Sequence, residues 1–515
     1  MRRWTFAKLI GATGLVAALI SALVVTSFAR SSTPTGVGPV VTVSGANPFS
    51  GCTIGSIGED GLPGTNYPSG EVEPRVAVNP ANPSNMIGVW QQDRWSNGGA
   101  HGLVAAYTTD GGKTWTQSAQ QPTFTECAGG TAANGGDFER ASDPWITFSN
   151  DGVAFMISLS ATFNTSLQPD SAILVSKSTD GGKSWGPPVT LRRDSGRESG
   201  FFFFNDKETI TADPVNSQFV YAVWDRQGSP TPTSNSSIIG TEHAKTFHQP
   251  IWFARSIDGG QTWQPASIIF EPGQFSFTIG SQIVVLPDGT LLDVFDTGDI
   301  GRTGKKATFT EEVIRSTDHG QTWSNKAVVI GADEDIGVTD PFTGAPLRTG
   351  AGLPDVAVDR STGSVYVVWE DARFSGLQRE GIAFSKSSDG GLTWSTPQQV
   401  NHIPSTQAFT PSVMVASDGT VAVTYYDLRN ATSSDLSVLA TDYWMVRSHD
   451  GGATFAEDHI AGSFNELTAP NAGGFFLGDY EGLGPVGASF LPFFVQAQPA
   501  ATTGPTDTFA TTVSP

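Results

Sequence analysis

The octapeptides TTDGGKTW (108–115), STDGGKSW (178–185), SIDGGQTW (256–263), STDHGQTW (316–323), SSDGGLTW (387–394) and SHDGGATF (448–455) decide the fold. Their aspartates stand at 110, 180, 258, 318, 389 and 450, a spacing of 60 to 78 residues. Repetition at that period means one supersecondary unit used many times. Within each copy the first Ser or Thr and the Asp offer oxygens to nearby backbone N–H groups, which folds a tight turn. The following Gly tolerates positive φ, and the final Trp or Phe brings a large ring to bury.

Apolar runs flank every turn: GLVAAY precedes Asp110, AILVSK precedes Asp180 and PIWFAR precedes Asp258. Each octapeptide is therefore read as a hairpin between two strands, with two more strands ahead of it. Before the fifth turn these are PDVAVD (354–359) and SVYVVWED (364–371). SQIVVLPDG with LLDVFD, and PSVMVASDG with VAVTYYD, repeat the arrangement. After the last turn EGLGPVGA (481–488), LPFFVQA (491–497) and DTFATTV (507–513) supply three strands, and PVVTVS (39–44) offers the missing fourth. The expectation is an all-β propeller of four-stranded antiparallel blades, seven in number, or six if the last group is an appendage. An N-terminal strand would close the ring and remove the open edges.

The chain has 515 residues, 29 Lys and Arg against 50 Asp and Glu, and a formal net charge of −21. Such an anionic body repels phosphate backbones, so nucleic acid is excluded as a partner. Arg2, Arg3 and Lys8 precede an apolar run over 9–29 that ends Ser27-Phe28-Ala29. That pattern reads as a signal peptide over 1–29, or as an uncleaved anchor. Either places the body outside the cytoplasm, with no other membrane contact. Residues 30–70 would form an N-terminal segment carrying the closing strand, and 71–515 the propeller. In an oxidising compartment the two cysteines, Cys52 and Cys127, are expected to pair as a disulfide. A monomer is expected.

The six turns resemble the Asp boxes of the sialidase/BNR-repeat superfamily, and the resemblance covers nearly everything after residue 70. In that superfamily the boxes lie away from the active site. The resemblance implies an exported exo-sialidase-like glycosidase that uses a tyrosine nucleophile and retains configuration. Glu-Pro-Arg75-Val-Ala stands where the family has Arg-Ile-Pro, so Arg75 would be the first carboxylate-binding arginine and Arg94 the second. The acid/base aspartate should fall in WSNGGAH (95–101), which has none, leaving Asp93 or His101 as proton donor. Tyr480, in Gly-Asp479-Tyr480-Glu481-Gly, would be the nucleophile. A phenol needs a carboxylate to take its proton, and Glu208 across the channel is the candidate.

The ends of the second strands repeat as Asp93-Arg94, Asp225-Arg226, Asp371-Ala-Arg373 and Asp427-Leu-Arg429. They are read either as a carboxylate clamp, with Arg373 and Arg429 binding substrate, or as ion pairs between blades. Glu139-Arg140 and Asp143, at the start of the second module, also reach toward the channel. No cofactor is expected. The one metal alternative is calcium at the acidic loop Asp333-Glu334-Asp335 to Asp340, which clusters hard oxygen ligands. The expected partner is a carbohydrate or glycoconjugate bearing sialic acid or another terminal anionic sugar. Two readings compete with hydrolysis: a polysaccharide lyase on the same fold, with His101 or a tyrosine as base, and a glycan- or protein-binding propeller without catalysis.

Overall fold

The computed structural model describes residues 36–166, 169–195, 202–229, 248–273, 276–300 and 307–515. The signal-peptide reading of 1–29 therefore lies outside the described residues. Gly36–Pro515 make up one compact unit.

Strands run where apolar and polar residues alternate, and they assemble into antiparallel groups of four. The first group is Glu71–Val78, Met86–Arg94, Ala100–Thr108 and Thr116–Gln117. The sixth is Ala408–Val415, Val421–Asp427, Ala440–Ser448 and Ala456–Asn465, paired in sequence order. In the last group Gly482–Val486, Ser489–Ala497 and Thr506–Ala510 pair in order, and Val41–Thr42 adds to Thr506–Ala510 as the outer fourth strand. The strand expected in 39–44 is thus present and pairs with the C-terminal end of the chain. Among the described residues none of the sheets closes on itself as a barrel.

All six octapeptides join the third and fourth strands of a group, as their sequence predicts. In the first, Asp110 Oδ1 accepts N–H bonds from Lys113 (3.1 Å) and Thr114 (3.0 Å), while Oδ2 accepts the Thr114 hydroxyl (2.7 Å). Gly112, at φ 86°, donates its N–H to Thr108 Oγ1 at 3.1 Å. These bonds hold the exposed Asp110 carboxyl at about 2, below its ordinary range. The rings that follow, Trp115 and Trp185, pack into the layers between sheets, where Trp90, Val104 and Phe493 or Ile146, Met156 and Leu174 lie buried. Burying side chains of this size contributes roughly 1.5–3 kcal/mol each.

One irregularity recurs and positions the site. In five groups the first strand carries two residues opposite one: Glu73-Pro74, Asp143-Pro144, Lys207-Glu208, Gly280-Ser281 and Thr410-Pro411. The first residue of each bulge has left-handed φ, between 48° and 75°. Four of these five are not glycine, so local strain is held there by the surrounding sheet. A bulge turns a side chain out of the pleat, and here it turns charged groups into one shared space.

Candidate functional site

The bulges bring Glu73, Asp143 and Lys207 together with Asp479 from the last module. Lys207 Nζ lies 2.8 Å from Asp143 Oδ1, 2.6 Å from Asp479 Oδ2 and 3.7 Å from Glu73 Oε1. Arg348, from the short strand Leu347–Arg348 that pairs with Phe475–Phe476 ahead of the fifth group, donates Nη2 to Asp479 Oδ2 at 2.8 Å and Nε to Oδ1 at 3.2 Å. Burial opposes the charge on Asp479, but Arg348 and Lys207 outweigh it and hold the carboxyl far below its ordinary range. Burial also opposes the Lys207 ammonium, and the surrounding carboxylates reverse that and keep it charged. Glu73 goes the other way: burial, and then Asp143, raise it to about 8.

Two pockets share Asp206, Lys207 and Arg348 in their walls. The smaller, about 80 Å³, adds Glu59, Arg94, Arg140, Asp143, Phe163 and Phe204. The larger, about 480 Å³, runs past Phe277, Phe309, Asp333, Gly350 and Asp479. Asp206 is raised to about 8 by burial and by Asp143, so it carries a proton at neutral pH.

Arg94 and Arg140 are almost wholly buried, and among the described residues neither forms an ion pair with a carboxylate. Arg94 donates Nη1 to Gln91 Oε1 at 2.9 Å, and its Nε has no partner. Arg140 donates Nε to the Gly55 carbonyl (2.8 Å) and Nη1 to the Asn97 carbonyl (2.9 Å) and to that of Gly98. Burial and the neighbouring Arg348 lower Arg94, and burial and Arg94 lower Arg140 to about 9. Two guanidiniums in these surroundings favour an anion between them.

The other candidates are placed as follows. Arg75 stacks over Trp145, 3.7 Å from the ring centre, and binds Asp355 Oδ1 (3.2 Å) and the Glu481 carbonyl (3.0 Å). Asp355 is itself held by Ser412 Oγ at 2.6 Å. Asp93, at φ 65°, accepts from Asn47 Nδ2 and the Ser69 N–H, each at 2.6 Å, and its other oxygen lies 3.0 Å from His101 Nδ1. The pair sits under the N-terminal segment and lines neither pocket. Arg373 pairs with Asp371, and Arg429 with Asp427 (2.6 Å) and Glu457 (2.7 Å). Arg226 reaches Asp194 in the neighbouring sheet, through Nε at 2.7 Å and Nη2 at 2.6 Å. Of the four repeated pairs, only the first sends its arginine to the pockets; the other three arginines are engaged in ion pairs.

Tyr480 and Glu208 do line one small cavity, with Trp145, Asp355 and Glu370. The Tyr480 hydroxyl donates to the Pro144 carbonyl at 3.2 Å, and its ring meets Trp145 edge-on. Burial, then Glu73 and Asp143, push the phenol well above its ordinary range, and burial does the same to Glu208. Both groups therefore favour the protonated form. Glu481 accepts from the buried Tyr426 hydroxyl at 2.8 Å and takes no part in the Tyr480 environment. Cys52 and Cys127 are bridged, with Cα atoms 5.8 Å apart, which fastens the N-terminal segment beside His101.

Sequence reasoning left out Lys207, Arg348, Asp206 and Glu73. The available signal was Glu73-Pro74 and Asp143-Pro144 within a first strand, an acid beside a proline where a regular ladder cannot continue.

Residues 249–473 match the BNR repeat-like domain family, and residues 106–117 match the BNR/Asp-box repeat. A sialidase of Micromonospora viridifaciens is 29% identical over 124 residues, 24% of this chain and 16% of that protein. A sialidase of Bacteroides fragilis is 29% identical over 130 residues, 22% of this chain and 23% of that protein. The chain thus spans less than a quarter of either relative. Among solved structures, a Dyadobacter fermentans protein of unknown function superposes with a TM-score of 0.44 at 13% identity, covering 90% of this chain and 97% of that one. An α-L-arabinanase of Penicillium chrysogenum gives 0.46 at 14%, covering 76% and 94%. With six Asp boxes bonded alike and these two family matches, the chain carries the repeats that mark the sialidase/BNR-repeat superfamily.

Proposed function

We propose that the protein is a glycoside hydrolase acting on glycans that end in a carboxylate-bearing sugar, sialic acid being the first candidate. The observation that carries this reading is the pair of buried arginines, Arg94 and Arg140, lining one pocket without a carboxylate partner. A sugar carboxylate entering there gains charge-assisted hydrogen bonds, and Arg348 and Lys207 extend the positive wall. Sequence similarity to two sialidases over about a quarter of the chain supports the same class.

In this reading Asp206, protonated at neutral pH, gives its proton to the leaving oxygen. Asp143, held by Lys207 in the wall of the same pocket, is the carboxylate that attacks or activates water. Carboxyl groups kept in different protonation states by their surroundings are what acid–base hydrolysis requires. Tyr480 keeps the nucleophile role only if substrate draws its hydroxyl off Pro144 and a base takes the proton. Binding without turnover is the second reading, and the Lys207 ion pairs with both Asp143 and Asp479 favour it.

The fold reading joins the four-stranded groups as seven blades around one axis. It is supported by contacts between first strands in cyclic order, ending with Gly482–Val486 against Glu71–Val78. Val41–Thr42 paired with Thr506–Ala510 would close the ring. Export is proposed too, and the Cys52–Cys127 bridge supports it. The test is release of a fluorophore from a sialoside by the purified protein and by Asp206→Asn. Turnover abolished by the substitution is expected; no turnover by the unaltered protein on any acid-sugar glycoside overturns the enzymatic reading.

A further inference from the structure

Asp296 and Glu311 stand directly opposite one another on the neighbouring strands Leu291–Asp299 and Thr308–Ser316. Two carboxylates in register across a sheet repel, so the arrangement demands a counter-charge. Asp333, at the end of the adjoining strand Val328–Asp333, joins them. One carboxylate oxygen from each of the three lies within 4.8 Å of the others. Glu311 is fully buried, and among the described residues neither of its oxygens has a hydrogen-bond partner; Asp296 Oδ1 is buried and unpartnered among them as well. Buried polar atoms of this kind are rare unless something fills the space between them. Among the described residues none of the three carboxylates forms an ion pair with a Lys or Arg, and Arg373 is taken up by Asp371 and the Ala332 carbonyl.

The cradle is shaped to hold this geometry. A Cβ on Gly352 would fall 1.9 Å from Asp333 Oδ2, so only glycine lets the carboxylate rest against the backbone there. Asp296 and Asp333 face the 480 Å³ cleft, which gives an ion a path from solvent.

We propose that Asp296, Glu311 and Asp333 form a calcium site in the wall of the large cleft. Calcium takes six to eight hard oxygens at about 2.3–2.6 Å, so ligands on opposite sides of it lie roughly 4.6–5.2 Å apart. Three carboxylate oxygens within 4.8 Å of one another lie close enough to share one such ion, and water from the cleft completes the shell. The acidic loop takes part only through Asp333: Asp340 caps its own turn, accepting the Phe342 N–H at 2.8 Å and the Thr343 hydroxyl at 2.5 Å. Asp335 binds the Gly337 N–H at 3.2 Å.

The site is independent of the hydrolase reading and is tested without substrate. Chelated full-length protein is titrated with calcium chloride by calorimetry, and its unfolding temperature is recorded in calcium and in EGTA. We expect saturable binding and a rise of a few degrees in calcium. Glu311→Gln, which removes the facing charge at constant shape, should lose both while still unfolding cooperatively; Asp333→Asn replaces it if that variant does not fold. No heat and no shift in the unaltered protein overturns the proposal, as does a variant that keeps both. A carboxyl cluster neutralised by shared protons would give that negative result and would lose stability only on raising the pH.

Discussion

Arg94 and Arg140 project into one pocket from the first and second strand groups, and among the described residues neither forms an ion pair with a carboxylate. Each is held in place by neutral acceptors, Gln91 Oε1 for Arg94 and backbone carbonyls for Arg140. Buried positive charge without a counter-ion is costly, so this arrangement points to an anion supplied from outside. Replacing either arginine with glutamine should lower kcat/KM on an acid-sugar glycoside by roughly tenfold to a hundredfold, the range for a charge-assisted hydrogen bond. Steady-state kinetics on both variants checks this, with unfolding temperatures near that of the parent.

Asp206 is raised to about 8, so its proton is present below that pH and lost above it. Activity limited by a general acid there should fall as pH rises through about 8. Asp206→Asn should remove that limb and lower kcat by about a hundredfold to ten-thousandfold. The loss should be smaller for an aglycone that leaves easily, which a pair of aryl glycosides of different leaving-group pKa measures.

Arg75 is expected to behave as a structural residue. Its pairing with Asp355 joins the first and fifth groups, and both partners are buried. Arg75→Met strands the Asp355 carboxylate, and breaking such a pair costs about 3–5 kcal/mol. Chemical denaturation should show that loss, while double replacement with Asp355→Leu should recover part of it.

The Asp-box carboxyls give the fold an acid limit. In Asp110, Asp258, Asp318 and Asp389 hydrogen bonds from the box lower the carboxyl to about 2. A group whose folded value lies below its unfolded one stabilises fully above the unfolded value, near 4, and the contribution disappears as pH falls toward 2. The unfolding temperature should therefore drop across that window. Asp258→Asn should flatten the drop and lower the plateau above pH 4, as thermal scans at a series of pH values would record.

The hairpins and strands were legible because they are local. A Ser or Thr, an Asp and a Gly within eight residues fold their own turn, and alternation marks the strands beside it. The Cys52–Cys127 bridge was legible because only two cysteines were available to pair, and the strand around Val41 because the last group lacked a fourth strand. The site was only partly legible. Arg94, Arg140 and Asp143 were singled out, but Lys207 and Arg348 come from the third module and a short strand, and nothing near them in sequence announces that they meet at Asp479. Asp93 and His101 were read as proton donors at the ends of the 95–101 loop, whereas Asn47 and Ser69 of the preceding segment bind Asp93 and cover the pair. The arginine repeats left two readings open because similar residues face different neighbours: Arg373 and Arg429 pair with a carboxylate two residues back, whereas Arg94 bonds the Gln91 side chain.

The central claim is that the Arg94–Arg140 pocket selects a carboxylate. The most direct test is turnover of two fluorogenic glycosides that differ only in having or lacking a carboxylate on the sugar ring. The account predicts release from the acid sugar alone, and loss of that preference in the Arg94→Gln, Arg140→Gln double variant. Equal or faster release from the neutral sugar by the unaltered protein would contradict it.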